Sequence, residues 1–475
     1  MSLNYLIGDL LDRVVVANEK SLLADSDYVL VVLNRALRCE NNPVVEAAQC
    51  HANALDVPLV VYCETDATAT YSSDRLVYFV LGAFRELAIA LSKQSIPCIQ
   101  TFRQADDQQN LLELLIARAA AIYTDEDYTA WDRARLQRVQ DLAQQTVFLV
   151  DAARLVPTRQ IAKNIKTTPT FRKAHSALRE KYVGLRQVTL ESSAIAPHSS
   201  SSPFDLPTHH NFADYTDADL LSLLTAADIN HDIPISTEHP PTQAEIKRRI
   251  DILKTEILAR YKWIRNNAAL PHSTSQLSPY LHFGMVGPHQ VLAEIEAADV
   301  PKTYTWKFRD EFLTWREWSH YQAFHTPNLH RFEALPDRAR ETLQAHADDP
   351  RPELCTAEEI FYGSTPDATW NAAQREWLAT GWLHNNLRMY WAKQLLRFTP
   401  DPEAAWQLAC KLNDAVSLDG QDPATYASLQ WAFGAAKPGY SEKPIYGWVA
   451  PKSDRAILKR KGMPEWIAAR QSSQR

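Results

Sequence analysis

No stretch of this 475-residue chain has the length of an apolar membrane span. Its first residues, MSLNYLIGDLLDR, carry no basic segment ahead of a long apolar core. Neither a membrane protein nor a secreted one is expected, and the cytoplasm is the default compartment. The six cysteines, Cys39, Cys50, Cys63, Cys98, Cys355 and Cys410, form no CxxC pair, and no His/Cys cluster has zinc spacing. That excludes the common zinc modules and leaves free thiols in a reducing compartment. GxGxxG is also missing, so nothing fingerprints a dinucleotide site, and no internal repeat is found. A net charge of −7 argues against a generic nucleic-acid coat.

What is present changes along the chain. The length is too great for one ordinary core, so two or three domains are expected. Between 27 and 155, the apolar runs DYVLVVLN, VPLVVYCE, IPCIQTF, AAIYTDE and TVFLVDA alternate with helical patterns such as NPVVEAAQCHANAL. Such alternation predicts a doubly wound α/β domain with a parallel sheet over 1–155. The crevice at the strand C-termini is a place for a ligand. Residues 156–242 read as an interdomain connection. Its later part is rich in Ser, Pro and His and is interrupted by a short helix at DADLLSLLTAA. From 243 to 475 strand signals nearly vanish, and a larger all-α domain is expected.

Chemistry concentrates in that helical half. Hydroxyls cluster in STSQLSPYLHFG (273–284) at a helix start. They suit a phosphate site, but taken alone they read first as a plain helix cap. The basic stretches 171–186 and 452–470 suit phosphates, or are solvated helix faces. TGWLHNNLRMYWAKQLLRF (380–398) reads as a helix crowded with aromatic and polar groups. Trp370, Trp377, His384, Trp391 and Phe398 recur every seven residues. They would form one stripe if the helix were continuous, but Gly381 makes a break plausible. A core seam is the plainer reading, above all for Trp377.

The order of these segments adds information. STSQLSPYLHFG, FLTWREWSHYQAFH, WLHNNLRMYWAK, LNDAVSLDGQDPATY and LQWAFG follow one another as in the photolyase/cryptochrome family. Within it the chain resembles the class II cyclobutane-pyrimidine-dimer photolyases, and NRALRCENNPVVEAA (34–48) is similar to the family's first strand–helix passage. The resemblance implies an FAD in the helical domain. Thr274, Ser275, Gln276, Leu277 and Ser278 would cradle its diphosphate, with Tyr261 near by. His384, Asn385, Arg388, Asn413, Asp419 and Gly420 would surround the flavin. Arg388 would be the fixed cation held by Asp419, and Asn413 would face flavin N5. Without the surrounding segments, Arg388 and Asp419 read first as a structural ion pair between helices. Trp391 and Trp370 align with the first two tryptophans of a photoreduction chain. Glu317 would bond a flipped pyrimidine, with Trp318, Tyr321 and Trp431 walling its pocket.

The implied activity is light-driven repair of cyclobutane pyrimidine dimers in UV-damaged DNA, by electron transfer from excited reduced FAD. An antenna chromophore, an 8-hydroxy-deazaflavin or a folate, is a further expectation, as is a monomeric, intracellular protein found at the nucleoid when bound to DNA. No metal is expected. The chain departs from the class II pattern at Phe398, which replaces a distal tryptophan. It departs again at Gln421, Ala424 and Thr425 in the LDGQDPATY loop, and at WREW. Phe cannot readily end a radical chain, so Tyr390, Trp382 or another aromatic would finish it. A cryptochrome-like FAD photoreceptor without repair is the alternative.

Overall fold

The computed structural model describes residues 3–24, 26–105, 107, 110–184 and 210–471. It forms two units. One comprises 1–235, 240–248 and 277–298, and the other 236–239, 249–276 and 299–475. The part of the connection from 185 to 209 lies outside the described residues.

The first unit is built on a six-stranded sheet in the order β1-β6-β5-β2-β3-β4. The strands are β1 (Val14–Val16), β2 (Tyr28–Leu33), β3 (Leu59–Asp66), β4 (Cys98–Arg103), β5 (Ala119–Asp125) and β6 (Val147–Val150). Strands β2 to β6 coincide with the five apolar runs and pair in parallel. The short β1 pairs antiparallel with β6. Three residues are too few for an alternation signal, so this edge strand is invisible in the sequence. Both β2 and β5 are buried along their whole length, as helix-covered parallel strands must be. The helices Pro43–Leu55 and Asp74–Ser92 start at Asn42 and Ser73, whose side chains accept from Val44 and Leu76 N–H.

Strand order reverses between β2 and β5, the usual ligand crevice of such sheets. Here the chain itself occupies much of that position. Asp125 at the end of β5 accepts the N–H groups of Asn34 at 2.8 Å, Arg35 at 2.6 Å and Ala36 at 3.2 Å. Leu37 N–H donates to Phe283 O, and Arg38 Nη1 donates to Gly284 O at 3.1 Å. Arg35 bonds Asp132 at 3.0 Å and also reaches His282. The buried arginines of NRALRCENNP thus satisfy loop carbonyls and carboxylates that no strand can satisfy.

The second unit is helical. The pattern over 243–265, whose first residues go with the first unit, is not one helix: Gln243–Ile252 passes through a π-helical turn, Leu253–Ile257, before a short helix at Tyr261–Ile264. A second π turn, Glu311–Trp315, joins Lys302–Asp310 to Arg316–His325. Each π turn adds a residue to the ladder and shifts the register of the next helix face. The stretch 380–398 is likewise broken. Ala368–Thr380 ends at Gly381 with φ +73°, His384 caps the next helix, and Asn385–Phe398 follows. Residues early in the first of these helices meet residues late in the second, so the pair runs antiparallel.

Gly284 sits at φ +65°, and a Cβ there would stand 2.0 Å from Arg35 O. Gly284→Ala should therefore lower stability by about 3 kcal/mol through overpacking and left-handed strain. Denaturant unfolding of the variant against wild type measures it.

Candidate functional site

Arg388 lies one turn into the helix Asn385–Phe398 and is buried. Its Nη2 donates to Asp419 Oδ1 at 2.9 Å and to Ser417 Oγ at 3.4 Å, and its Nη1 donates to Thr425 Oγ1 at 3.3 Å. Thr425 Oγ1 in turn donates to Asp419 O at 2.8 Å. The departure at 425 therefore supplies a hydroxyl that braces the pair. Gln421, at φ +59°, is fixed by its N–H to Asp414 Oδ1 at 3.0 Å. Gly420 N–H closes the turn onto Ser417 O.

Asn413 is wholly buried on the helix Pro402–Val416. Its amide donates to Ala409 O at 2.8 Å. Among the described residues its Oδ1 has no partner, nor do Arg388 Nε and Thr274 Oγ1. His384 Nε2 is a fourth such atom; buried polar atoms without partners are costly and rare, so four at expected site positions call for an explanation.

The segment 274–278 divides between the units. Thr274, Ser275 and Gln276 go with the second, and Leu277 and Ser278 with the first. Gln276 is left-handed at φ +52° and accepts from Arg249 Nη1 at 2.8 Å. Tyr261 is committed elsewhere, its hydroxyl donating to Glu311. A cavity of about 230 Å³ is lined by Ser273, Gln276, Trp382, His384 and Leu387, with Trp466 and Arg470 at its side. Asn385 is exposed, whereas His384 is buried. The His384 Nδ1 accepts the Asn386 N–H at 3.1 Å. Burial, then the nearby cations Lys452, Arg460 and Arg265, push this imidazole down to about 4.

The aromatic residues do come together, although the helix carrying them is broken. Trp370 and Trp391 stack with centroids 5.8 Å apart and planes 13° from parallel. Trp370 Nε1 donates to Trp391 O at 3.0 Å, and Trp391 Nε1 to Gln374 Oε1 at 2.8 Å. Phe398 stands edge-on to Trp370 at 5.5 Å. Trp377 stands edge-on to Trp391 at 5.1 Å, with the Arg388 guanidinium 5.5 Å from its ring centre.

Glu317 is buried and bonded by Arg316 at 3.2 Å, while Trp318 and Tyr321 stack at 5.5 Å on the same helix. Trp431 is exposed and meets Trp315 edge-on at 5.3 Å. Trp315 was not singled out by sequence reasoning, because the π turn that aims it has no signature. Of the C-terminal cations, Lys459 and Lys461 are exposed and Arg460 is half-buried.

Residues 29–192 match the family model for DNA photolyase. The chain is 27% identical over 447 residues to the deoxyribodipyrimidine photo-lyase of Methanothermobacter thermautotrophicus, covering 93% of this chain and 94% of that one. It shares the fold of the Sulfolobus tokodaii photolyase, solved with two FAD molecules, at a TM-score of 0.62 and 16% identity over 94% of each chain. The Synechocystis cryptochrome also has it, at a TM-score of 0.67 and 16% identity, over 95% of this chain and 91% of that one. Residues 29–192 thus match a DNA photolyase domain, and along its length the chain has the fold of photolyases and of a cryptochrome.

Stability should fall as pH drops. The His384 pKa is depressed in the folded state, so the unfolded chain binds more protons between about 6.5 and 4. Stability present above 6.5 is lost through that window, by about 3 kcal/mol from this group alone. His384→Asn, which keeps a capping acceptor, should flatten that part of the pH–stability curve in denaturant unfolding.

Proposed function

We propose that this chain is a light-driven DNA repair enzyme, a deoxyribodipyrimidine photo-lyase of the class II kind, with FAD held by its helical domain (243–475). The observation that carries this reading is the set of four buried polar atoms that have no partner among the described residues, Arg388 Nε, Asn413 Oδ1, His384 Nε2 and Thr274 Oγ1. They fall at the positions that the family pattern gives to the flavin edge and the diphosphate, so the residues present fit the group. The name of the Methanothermobacter relative supports the activity, and the two FAD molecules in the Sulfolobus structure support the cofactor. When bound and reduced, FAD would supply the light-excited electron that splits the dimer.

The chain's own residues do the rest. Arg388 offers a fixed positive charge whose geometry Asp419, Ser417 and Thr425 maintain. Asn413 can accept a hydrogen bond but does not easily give up a proton. Trp391 and Trp370 offer easily oxidised rings in stacked contact. A dimer inside a duplex reaches a buried site only when flipped out, and the lesion's weakened stacking and pairing make that cheaper. Trp431 and Trp315, in edge-on contact, would receive it, and the stacked Trp318 and Tyr321 would wall the pocket. Glu317 would accept from a base edge. The antenna, a deazaflavin or a folate, would belong to the first unit, and the protein would act as an intracellular monomer.

Reduced protein mixed with dimer-containing oligonucleotide should restore the pyrimidines in light and not in the dark. Flavin binding without light-dependent repair would overturn this reading in favour of a photoreceptor.

Binding to the damaged strand should weaken steeply with salt despite the net charge of −7. Replacing Lys459, Arg460 and Lys461 with Gln together should reduce the slope of log K against log salt by about two to three units. Fluorescence titration at several salt concentrations measures it.

A further inference from the structure

Three large aromatic side chains of the second unit stand out in solvent. Trp263 is 60% exposed, Tyr304 45% and Trp306 47%. Apolar residues scattered singly over a surface need no explanation, but these three are neighbours. Trp263 and Tyr304 meet with ring centres 6.0 Å apart. The Lys262 ammonium lies 5.9 Å from the Trp263 ring centre and 5.8 Å from that of Trp306. Lys307 also lies 5.9 Å from the Trp306 ring centre.

Packing does not account for them. On the helix Lys302–Asp310 the buried residues are Thr305 and Phe308. Phe308 meets Tyr261 edge-on at 5.0 Å and stacks on Phe312 at 6.3 Å. Tyr304 and Trp306 lie beside this buried stripe and are left in water, where an apolar ring is least stable. Charge around the rings runs against the average of the chain. Residues 254–265 and 302–311 carry seven Lys and Arg against three Asp and Glu, in a protein of net charge −7. Lys307 and Arg265 turn to Asp310 and Glu311. Lys262 is exposed and makes no ion pair among the described residues.

That combination selects an occupant. An apolar protein surface would cover the rings and leave the cations unpaired. A second copy of this face would bring like charges together. Duplex DNA offers phosphates, but its base faces are already stacked on one another. An unpaired strand offers both flat rings and phosphates. Every base has a π face, so stacking on indoles accepts any sequence. Lys262, shared between two indoles, stands where the backbone joining two stacked bases would pass.

We infer that Trp263, Tyr304 and Trp306 form a stacking platform for unpaired nucleotides, with Lys262 taking the phosphate between them. The choice of DNA as the polymer rests on the proposed function. The platform is a contact additional to the pocket at Trp315 and Trp431, and it holds a strand whether or not that strand is damaged.

The test is titration of the full chain with a short labelled oligothymidylate, free of dimers, single-stranded or paired with its complement. Wild type should bind the single strand more tightly than the duplex, with its tryptophan fluorescence quenched. Trp263→Ala with Trp306→Ala should weaken single-strand binding by about a hundredfold and duplex binding little. Trp263→Phe with Trp306→Phe keeps two stacking rings and should stay within about threefold of wild type. Lys262→Gln should reduce the slope of log K against log salt by about 0.7. Wild-type strand binding in a folded alanine variant overturns the inference. So does equal loss of binding in the alanine and phenylalanine variants, since the rings would then not be acting by stacking. A third overturning result is unchanged strand binding with lost attachment to vesicles of anionic lipid, or with lost self-association in sedimentation. Light-driven repair by the reduced protein is read separately. Repair in wild type with unaltered strand binding in the alanine variant sinks the platform and leaves the enzyme. Strand binding that needs the two indoles, in a protein that repairs nothing, sinks the enzyme and leaves the platform.

Discussion

A guanidinium taken out of water must be paired on nearly every N–H, or it is too costly to keep. In the second unit Arg388 imposes that condition on its surroundings. Asp419, Ser417 and Thr425 converge on it from the turn after Pro402–Val416 and from the helix Pro423–Gln430. The same turn is held to Asn413 and Asp414 by Ser417 N–H and Gln421 N–H. One ion pair thus sets the distance between the helix bearing the aromatic residues and the helix bearing the buried amide. Arg388 Nε is left over after this pairing, and with Asn413 Oδ1 it gives the region hydrogen-bonding capacity that the protein does not use itself.

The break at Gly381 is the second constraint, and it works with the first. Trp370, Trp377, Trp391 and Phe398 are spaced seven apart, as a single long helix would need. Along such a helix, residues 370 and 391 would lie about 30 Å apart. Left-handed Gly381 and the His384 cap turn the chain back, and the two indoles stack at 5.8 Å. A periodicity that suggested a stripe therefore becomes an interdigitated pair. The indole N–H groups are spent on Trp391 O and Gln374, which fixes both rings without placing a charge beside Trp370.

How much of this the sequence made legible follows from how local each signal is. The five parallel strands were legible because each is a buried apolar run bounded by helical patterns, and β1 was not because three residues carry no period. Helices in the second unit were legible as helices. Their π turns at Leu253–Ile257 and Glu311–Trp315 were not, since a one-residue register shift leaves no compositional trace. Trp315 was missed for that reason, and Trp431, which it meets, was named only through a family pattern. The Arg388–Asp419 contact was foreseen through the same resemblance. The part played by Thr425 was not, because a hydroxyl in a loop has too many uses to assign from spacing.

Charge gives the last link between composition and site. The protein as a whole is acidic, at −7. Yet the helix Asn385–Phe398 buries two cations, Arg388 and Lys393. Lys393 donates to Ala432 O at 2.8 Å and Ala450 O at 2.7 Å. Burial and then the neighbouring Lys452 push its ammonium down to about 8. Lys452 is itself pushed down to about 8, by burial and then by Arg460. Burial is the larger cause in both cases, and a neighbouring like charge adds to it. Net charge is an average over the whole surface and does not describe the surroundings of single buried cations. The acidic total therefore gives no ground for rejecting phosphate or an anionic cofactor, because it averages over buried cations such as Lys393 and Lys452.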